Sequence, residues 1–354
     1  MDSSRSESGM AGNNVGMKSI GIGIVLVLCL NGAGAGRGQS KVGTTAVPFL
    51  GIHAGPRAFA MGGAFTAMGD DATSLYYNPG GVSRFRQSQF IGSTTNWLVG
   101  TRFNWIGCVI ALDGANAIGF SLTQLDYGEE DVNTVLAPEG TGEKWSASDF
   151  AAGLSYSRNL TDRFSIGGSA KYIQQKIWHE TATAFALDVG LLFVTPFRGV
   201  RLGMSISNFG TDMKMDGRDL LRRIDLDPDN LGNNDAITAR LKTEAWPLPL
   251  FFRVGLAGEV VNAHPIRISV AVDALRPSDN TETVQAGGEL ALYERLFFRA
   301  GYKSLFRTDS EEGLTMGCGL RMPIQGTVSW KVDYAFADYG LFESIQMIAV
   351  GVNF

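Results

Sequence analysis

AFALDVGLLF, residues 184–193, decides the fold of this chain. Phe185, Leu187, Val189, Leu191 and Phe193 alternate with Ala184, Ala186, Asp188 and Gly190. A period of two, large and apolar on one face, small or polar on the other, indicates a β-strand between unlike surroundings. The pattern recurs in both directions. Ile118, Phe120 and Leu122 stand against Gly119, Ser121 and Thr123, and Val200, Leu202, Met204 and Ile206 against Arg201, Gly203, Ser205 and Ser207. Further on, Ile266, Ile268, Val270 and Val272 oppose Arg267, Ser269, Ala271 and Asp273, and Val328, Trp330, Val332 and Tyr334 oppose Ser329, Lys331, Asp333 and Ala335. Fourteen such segments can be marked: 88–98, 101–112, 116–127, 147–158, 163–178, 182–195, 200–209, 250–261, 265–276, 282–293, 296–306, 312–322, 327–338 and 342–354. Most approach the ~9–11 residues of a tilted membrane strand. An even number suits a closed bacterial barrel.

The connections sort by length. If the first strand runs outward, those after even strands centre on Asp113-Gly114-Ala115, Asn159–Thr161, Pro196–Arg198, Ala263-His264, Glu294 and Pro323–Gln325, and all are short. The two long ones, 128–146 and 210–249, follow strands three and seven. Short inner turns and long outer loops are the asymmetry of outer-membrane barrels, and a soluble sandwich has no reason for it. The expected fold is all-β, a 14-stranded antiparallel transmembrane β-barrel over residues 88–354.

Composition agrees. The 354 residues include 45 glycines and carry a net charge of −5, which disfavours nucleic acid as a partner. No apolar run reaches the ~20 residues of a spanning helix, so strands must do the spanning, in contact with outer-membrane lipid. The longest run, Ile20–Leu30, follows Lys18 and precedes Gly32-Ala33-Gly34-Ala35-Gly36. That order reads as a signal peptide over residues 1–38, cleaved within 33–40 and directing Sec-type export to the outer membrane. Met17-Lys18 would itself make a normal start, leaving residues 1–16 outside the natural chain. Lipidation at Cys29 is disfavoured because Leu28 stands where a small residue is needed. Cys108 and Cys318 fall on distant strands and read as small apolar side chains.

The apolar ladders must face hydrocarbon, because a charge there costs ~2–4 kcal/mol at mid-bilayer. The other face carries Lys171, Arg201, Arg267, Asp273, Glu289, Arg299, Lys303, Arg321, Lys331 and Asp333, which places them in the lumen. These charges are expected to pair with each other and with an amino-terminal plug, residues 39–87. Within the plug, Asp70 and Asp71 read as partners of lumen arginines such as Arg267 or Arg299 rather than as ligands. Asn78-Pro79-Gly80-Gly81 reads as a turn.

The run Gly55-Pro56-Arg57-Ala58, Met61-Gly62-Gly63-Ala64-Phe65, Asp70-Asp71-Ala72-Thr73 and Tyr77-Asn78-Pro79-Gly80 resembles the amino-terminal signature of the PorV/PorQ family, within the FadL-like group. Pro56 before the arginine and Gly80 in place of the common Ala are departures. Asp333-Tyr334-Ala335-Phe336 and Gly340-Leu341-Phe342 resemble the family's ending, and Ile348, Val350, Val352 and Phe354 look like the signal read by the barrel-assembly machinery. The resemblance implies a FadL-like barrel with an inner hatch and a role in type IX secretion. PorV-like members associate with the translocon and receive sorting-domain cargo, whereas PorQ-like members sit in the cell-surface attachment complex. Loops 128–146 and 210–249 would then form the recognition surface. The alternative is a FadL-like channel for long-chain fatty acids or other hydrophobic molecules, lined where plug meets wall by Phe59, Met61, Phe65 and Met68. A structural barrel with no transport role is the third reading.

Asp225, Asp227 and Asp229 hint at a calcium loop, but Asn230 and Ala236 replace the glycine and glutamate that such a loop needs. Leu220, Leu221 and Ile224 with Arg218, Arg222 and Arg223 suggest a short amphipathic helix. His53, His179 and His264 lack metal-ligand spacing. No nucleophile elbow, Walker loop or zinc motif occurs, so neither an enzyme nor a cofactor is expected.

Overall fold

The computed structural model describes residues 41–225, 229, 236–307, 310–342 and 344–354. The leader assigned to residues 1–38, with Cys29, lies outside the described residues, as do Asp227 and Asn230 of the acidic loop.

Fourteen strands close into a barrel: β1 Gln89–Asn96, β2 Arg102–Ala111, β3 Asn116–Asp131, β4 Lys144–Asn159, β5 Phe164–Ile177, β6 Glu180–Val194, β7 Arg201–Gly210, β8 Phe251–Ala263, β9 Ile266–Pro277, β10 Thr283–Leu292, β11 Leu296–Leu305, β12 Leu314–Gln325, β13 Val328–Asp338 and β14 Ser344–Asn353. Every neighbouring pair is antiparallel, and β1 pairs with β14 from Gln89↔Asn353 to Asn96↔Gln346. Closure leaves no wall strand with an unpaired edge, which is the condition for backbone in lipid. Each of the fourteen alternating segments is a wall strand. The apolar ladders face outward, with Phe185, Leu187, Val189, Val270, Val272, Trp330 and Ile348 among the exposed large side chains. Cys108 and Cys318 are free and share that outward face. At the end of the chain, Phe354 exchanges two backbone hydrogen bonds with Ser88, Phe354 N–H to Ser88 O at 2.9 Å and Ser88 N–H to Phe354 O at 3.0 Å.

Two departures from the sequence reading lie at the outer end. Strands β3 and β4 continue beyond the segments 116–127 and 147–158, pairing Glu129↔Ser146 and Asp131↔Lys144 past an irregularity after Asp126. Apart from Trp145, the residues added at this end are polar or glycine, and all are exposed, so alternation against hydrocarbon does not mark them. The segment 218–224 is not an amphipathic helix. Arg218–Leu220 is a single 3-10 turn, and Leu221–Ile224 is a strand paired with Ile237–Arg240. β-branched Ile224, Ile237 and Thr238 favour that hairpin, and its long-range pairing cannot be read from one arm alone.

Residues 41–87 thread the lumen. Two short helices, α1 Pro56–Ala60 and α2 Ser74–Tyr77, are joined by glycine-rich turns. Ala58, Ala60, Met61, Ala64, Ala67, Met68 and Tyr77 are fully buried there.

Candidate functional site

The plug is seated on glycines of the wall. Gly287 and Gly301 face each other across β10 and β11, and a Cβ on either would lie 2.4 or 2.2 Å from backbone atoms of Met61. Gly62 turns there with φ +68°, and Tyr302 O would lie 2.7 Å from any Cβ it carried. Only glycine allows this approach at that dihedral. The Gly62 N–H donates to Thr315 Oγ1 at 3.0 Å, and that hydroxyl donates to Ala60 O at 2.9 Å. Gly63 follows with φ +86° against the His53 ring.

A second seat receives Asn78-Pro79-Gly80. Asn78 donates from Nδ2 to Thr66 O (2.8 Å) and Leu191 O (2.9 Å), while its Oδ1 accepts from the Gly80 N–H (3.0 Å). Pro79 presses on Gly167 of β5 and Gly80 on Gly190 of β6, where a Cβ at Gly80 would come within 2.6 Å of the Gly190 carbonyl carbon. Gly80 is therefore demanded by this wall. Between the seats, Asp273 Oδ2 accepts from the Phe65 and Thr66 N–H groups, both at 2.8 Å.

Electrostatics fasten the rest. Pro56 opens α1 and places Arg57 inside the barrel, 5 % exposed. Its guanidinium donates to Glu289 from Nε (2.7 Å) and Nη2 (2.9 Å), to Asp70 from Nη1 (2.8 Å) and Nη2 (3.0 Å), and to Asp71 from Nη1 (3.1 Å). All five donors of the fork are matched. Arg299 joins Glu289 (2.8 Å) to Asp333 (2.6 Å), and Lys331 joins Asp333 (3.2 Å) to Asp71 (3.3 Å). Arg267 bonds Glu294 at 2.7 Å and approaches Glu289 at 3.4 Å. The sequence reading paired Asp70 and Asp71 with Arg267 or Arg299. Their partners are instead Arg57, from the same plug, and Lys331 for Asp71. Arg267 and Arg299 are held by wall carboxylates. Arg201 stands apart, its Nη2 against Met68 Sδ at 3.8 Å.

Burial alone would raise the Asp71 carboxyl, but Lys331, Arg57 and the Thr73 hydroxyl hold it well below the usual range. Asp71 thus binds its proton more weakly folded than unfolded. Its stabilisation is complete above the ordinary carboxylate range, about pH 4, and fades as pH falls toward the folded value. Limited proteolysis of residues 41–87 is expected to be flat from neutrality to that range and to accelerate below it. Flat cleavage down to pH 2 would contradict the lock.

At the long-loop mouth a cavity of about 740 Å³ opens outward. Phe49, Ile52, Trp97, Leu98, Leu125 and Trp145 supply apolar walls, and Lys303 paired with Glu312 a charged edge. His53 lies at its base with Nδ1 3.0 Å from the Tyr77 hydroxyl. Burial, then Lys303 and Arg253, push its pKa well down, so the ring is neutral. Phe59, Met61 and Phe65, candidates for a greasy passage, are at most 1 % exposed and packed tight between plug and wall, Phe59 in a cluster with Ala335, Tyr339 and Met347 and the other two in one with Leu192, Ala257 and Ala271. Met68 lines a cavity at the opposite, short-turn mouth.

The family model described as Type IX secretion system protein PorV matches residues 35–220, just over half of the chain. The chain belongs to the PorV family. No curated protein matches it. Among solved structures it is similar to the CymD monoaromatic hydrocarbon channel, with TM-score 0.50 and 11 % identity over 84 % of this chain and 96 % of that one. The Pseudomonas putida toluene transporter TodX is similar at TM-score 0.50 and 13 % identity, over 85 % and 97 %. These likenesses concern the fold. Family and fold are those of a secretion or channel barrel of the outer membrane, not of an enzyme class.

Sequence reasoning missed two features of this PorV barrel. Arg253 faces the lumen, stacked over Phe251 at 4.9 Å and Tyr76 at 5.5 Å, and bonded to Ser207 at 3.1 Å. Its place at period two in β8, beside Gly255 and Ala257, was a usable signal. The outer groove gave none, because its walls come from four separate segments.

Proposed function

We propose that this PorV-family barrel serves type IX secretion as a docking platform, not as a conduit. It takes translocon subunits or sorting-domain cargo at its long-loop mouth. The observation that carries the reading is the outer groove: an exposed Trp145 and a half-buried Trp97 around a 740 Å³ cavity, above a plug whose side chains fill the lumen. Tryptophan is enriched where partners bind, and truncating such an anchor commonly costs ~2 kcal/mol or more. Loop 128–146, which gives the groove Glu130 and Trp145, extends the surface.

The test is affinity purification of the tagged protein from detergent-solubilised outer membrane, with mass spectrometry of what accompanies it. The wild type is expected to bring a translocon subunit or sorting-domain protein. Trp97→Ala/Trp145→Ala should recover at least roughly tenfold less at unchanged barrel yield. Equal recovery from both would remove the groove from the interface.

A channel for small apolar molecules is the second reading. It is favoured by the groove's size and lining, since small-molecule sites are typically ~300–1,000 Å³ and mostly apolar. Two proteins of this fold are described as a monoaromatic hydrocarbon channel and a toluene transporter. Recovery of the barrel alone, carrying an apolar ligand, would favour it.

A further inference from the structure

The short-turn mouth, opposite the groove, holds a cavity of about 540 Å³. Four arginines line it from three separate parts of the chain: Arg84 and Arg86 at the end of the plug, Arg201 opening β7 and Arg321 in β12. Asp70 is the one carboxylate on its lining, and both its oxygens are already taken by Arg57. Among the described residues, no carboxylate lies within ion-pair distance of any of the four guanidiniums.

Three of them also carry a nitrogen shut off from solvent without an acceptor. Arg84 uses Nε on Ser165 Oγ (3.1 Å) and Nη1 on Asp162 O (2.8 Å), leaving Nη2 unmatched. Among the described residues the one hydrogen-bond partner found for Arg201 is the Met68 sulfur, and its Nε is orphaned. Arg321 lies over the Phe297 ring at 5.3 Å with its Nε orphaned. Among the described residues no other buried cation of the lumen carries a nitrogen shut off without an acceptor, and Arg57 is matched completely. Leaving charged donors unmatched costs more than an ordinary hydrogen bond returns, and like charges sharing a cavity add to that cost.

We propose that this basin binds a phosphoryl oxyanion, free or on a lipid headgroup, at the periplasmic mouth of the barrel. A phosphoryl group brings several acceptor oxygens with one negative charge on a lipid diester and up to two on the free ion, which converging guanidiniums match; the planar fork of arginine suits that geometry. Ligation there would tie the plug's last turn to β7 and β12. The proposal is independent of the docking reading, which concerns the other mouth.

The test uses the purified full-length protein in phosphate-free detergent, with inorganic phosphate as probe against chloride at matched ionic strength. Wild-type thermal stability is expected to rise saturably with phosphate. In Arg201→Gln/Arg321→Gln the midpoint concentration should rise roughly ten- to a hundredfold. Native mass spectrometry of protein taken from outer membranes separates the sources. Phospholipid retained by the wild type and lost from the variant assigns the site to a headgroup; a phosphate response with no retained lipid assigns it to the free ion. Arg86→Glu, at the exposed rim, is the second variant and should weaken binding severalfold without touching buried packing. A response to phosphate no greater than to chloride, with no retained lipid, overturns the proposal. So does equal binding by wild type and variants.

Discussion

Arg57→Ala is expected to cost about 3–5 kcal/mol, the range for removing one partner from a buried ion network. The arginine contacts Glu289, Asp70 and Asp71 at 2.7–3.1 Å. Its loss leaves Glu289 with Arg299 and the more distant Arg267, and Asp71 with Lys331 and the hydrogen bonds from Thr73. Asp70 loses the one ion pair found for it among the described residues. The measurement is urea unfolding in detergent, followed by heat-modifiable mobility and by cleavage within residues 41–87. Plug cleavage should appear at lower urea than barrel opening, because the wall strands keep their ladders. Arg57→Lys should recover only part of the loss, since an ammonium cannot span three carboxylates as a fork does. An Arg57→Ala midpoint equal to the wild type would mean that the glycine seats alone hold the plug.

The second large effect is steric. Gly287→Val/Gly301→Val places two branched side chains where Met61 backbone atoms lie within 2.2–2.7 Å of each Cβ position. Backbone cannot step aside as a side-chain tip can, so the cost should exceed the ~1–3 kcal/mol of ordinary overpacking. The plug should be expelled from that wall while the barrel still closes, because β10 and β11 keep their outward faces. Protease should then cleave the double variant within residues 55–68 in the absence of denaturant. Gly258→Val in β8 is the control: its nearest neighbour is the Val200 side chain at 3.4 Å and no plug atom lies within 4 Å, so plug cleavage should match the wild type. Protection of the double variant equal to the control would place the plug's anchorage elsewhere.

The barrel itself was legible because a membrane wall imposes one local rule on every strand. One side chain in two meets hydrocarbon, so alternation such as Phe185, Leu187 and Val189 against Ala184, Ala186 and Asp188 states both conformation and orientation. Loop lengths then gave the direction of the strands. The lumen charges were legible by the same rule, since Arg299, Lys331 and Asp333 had nowhere else to point. The rule lapses where the surroundings change. Past Asp126 both faces of β3 meet water, alternation disappears, and the strand runs to Asp131 without a sequence mark.

Pairing followed a different logic. Arg57 and Glu289 are 232 positions apart, and nothing local distinguishes Arg57–Glu289 from Arg267–Asp70. The choice depends on how deep the plug sits, and that is decided where Gly62 meets Gly301 and Gly80 meets Gly190. Those contacts are backbone against backbone and leave no pattern in either strand. The outer groove and the arginine basin are likewise convergences of distant segments at the two mouths. Alternation and turn length, acting over a few residues, made the sequence determine a closed fourteen-stranded wall and the sorting of its two faces. Partners, seats and cavities belong to the tertiary structure, because they are set by the approach of surfaces that the chain brings together only when the barrel has closed around its own plug.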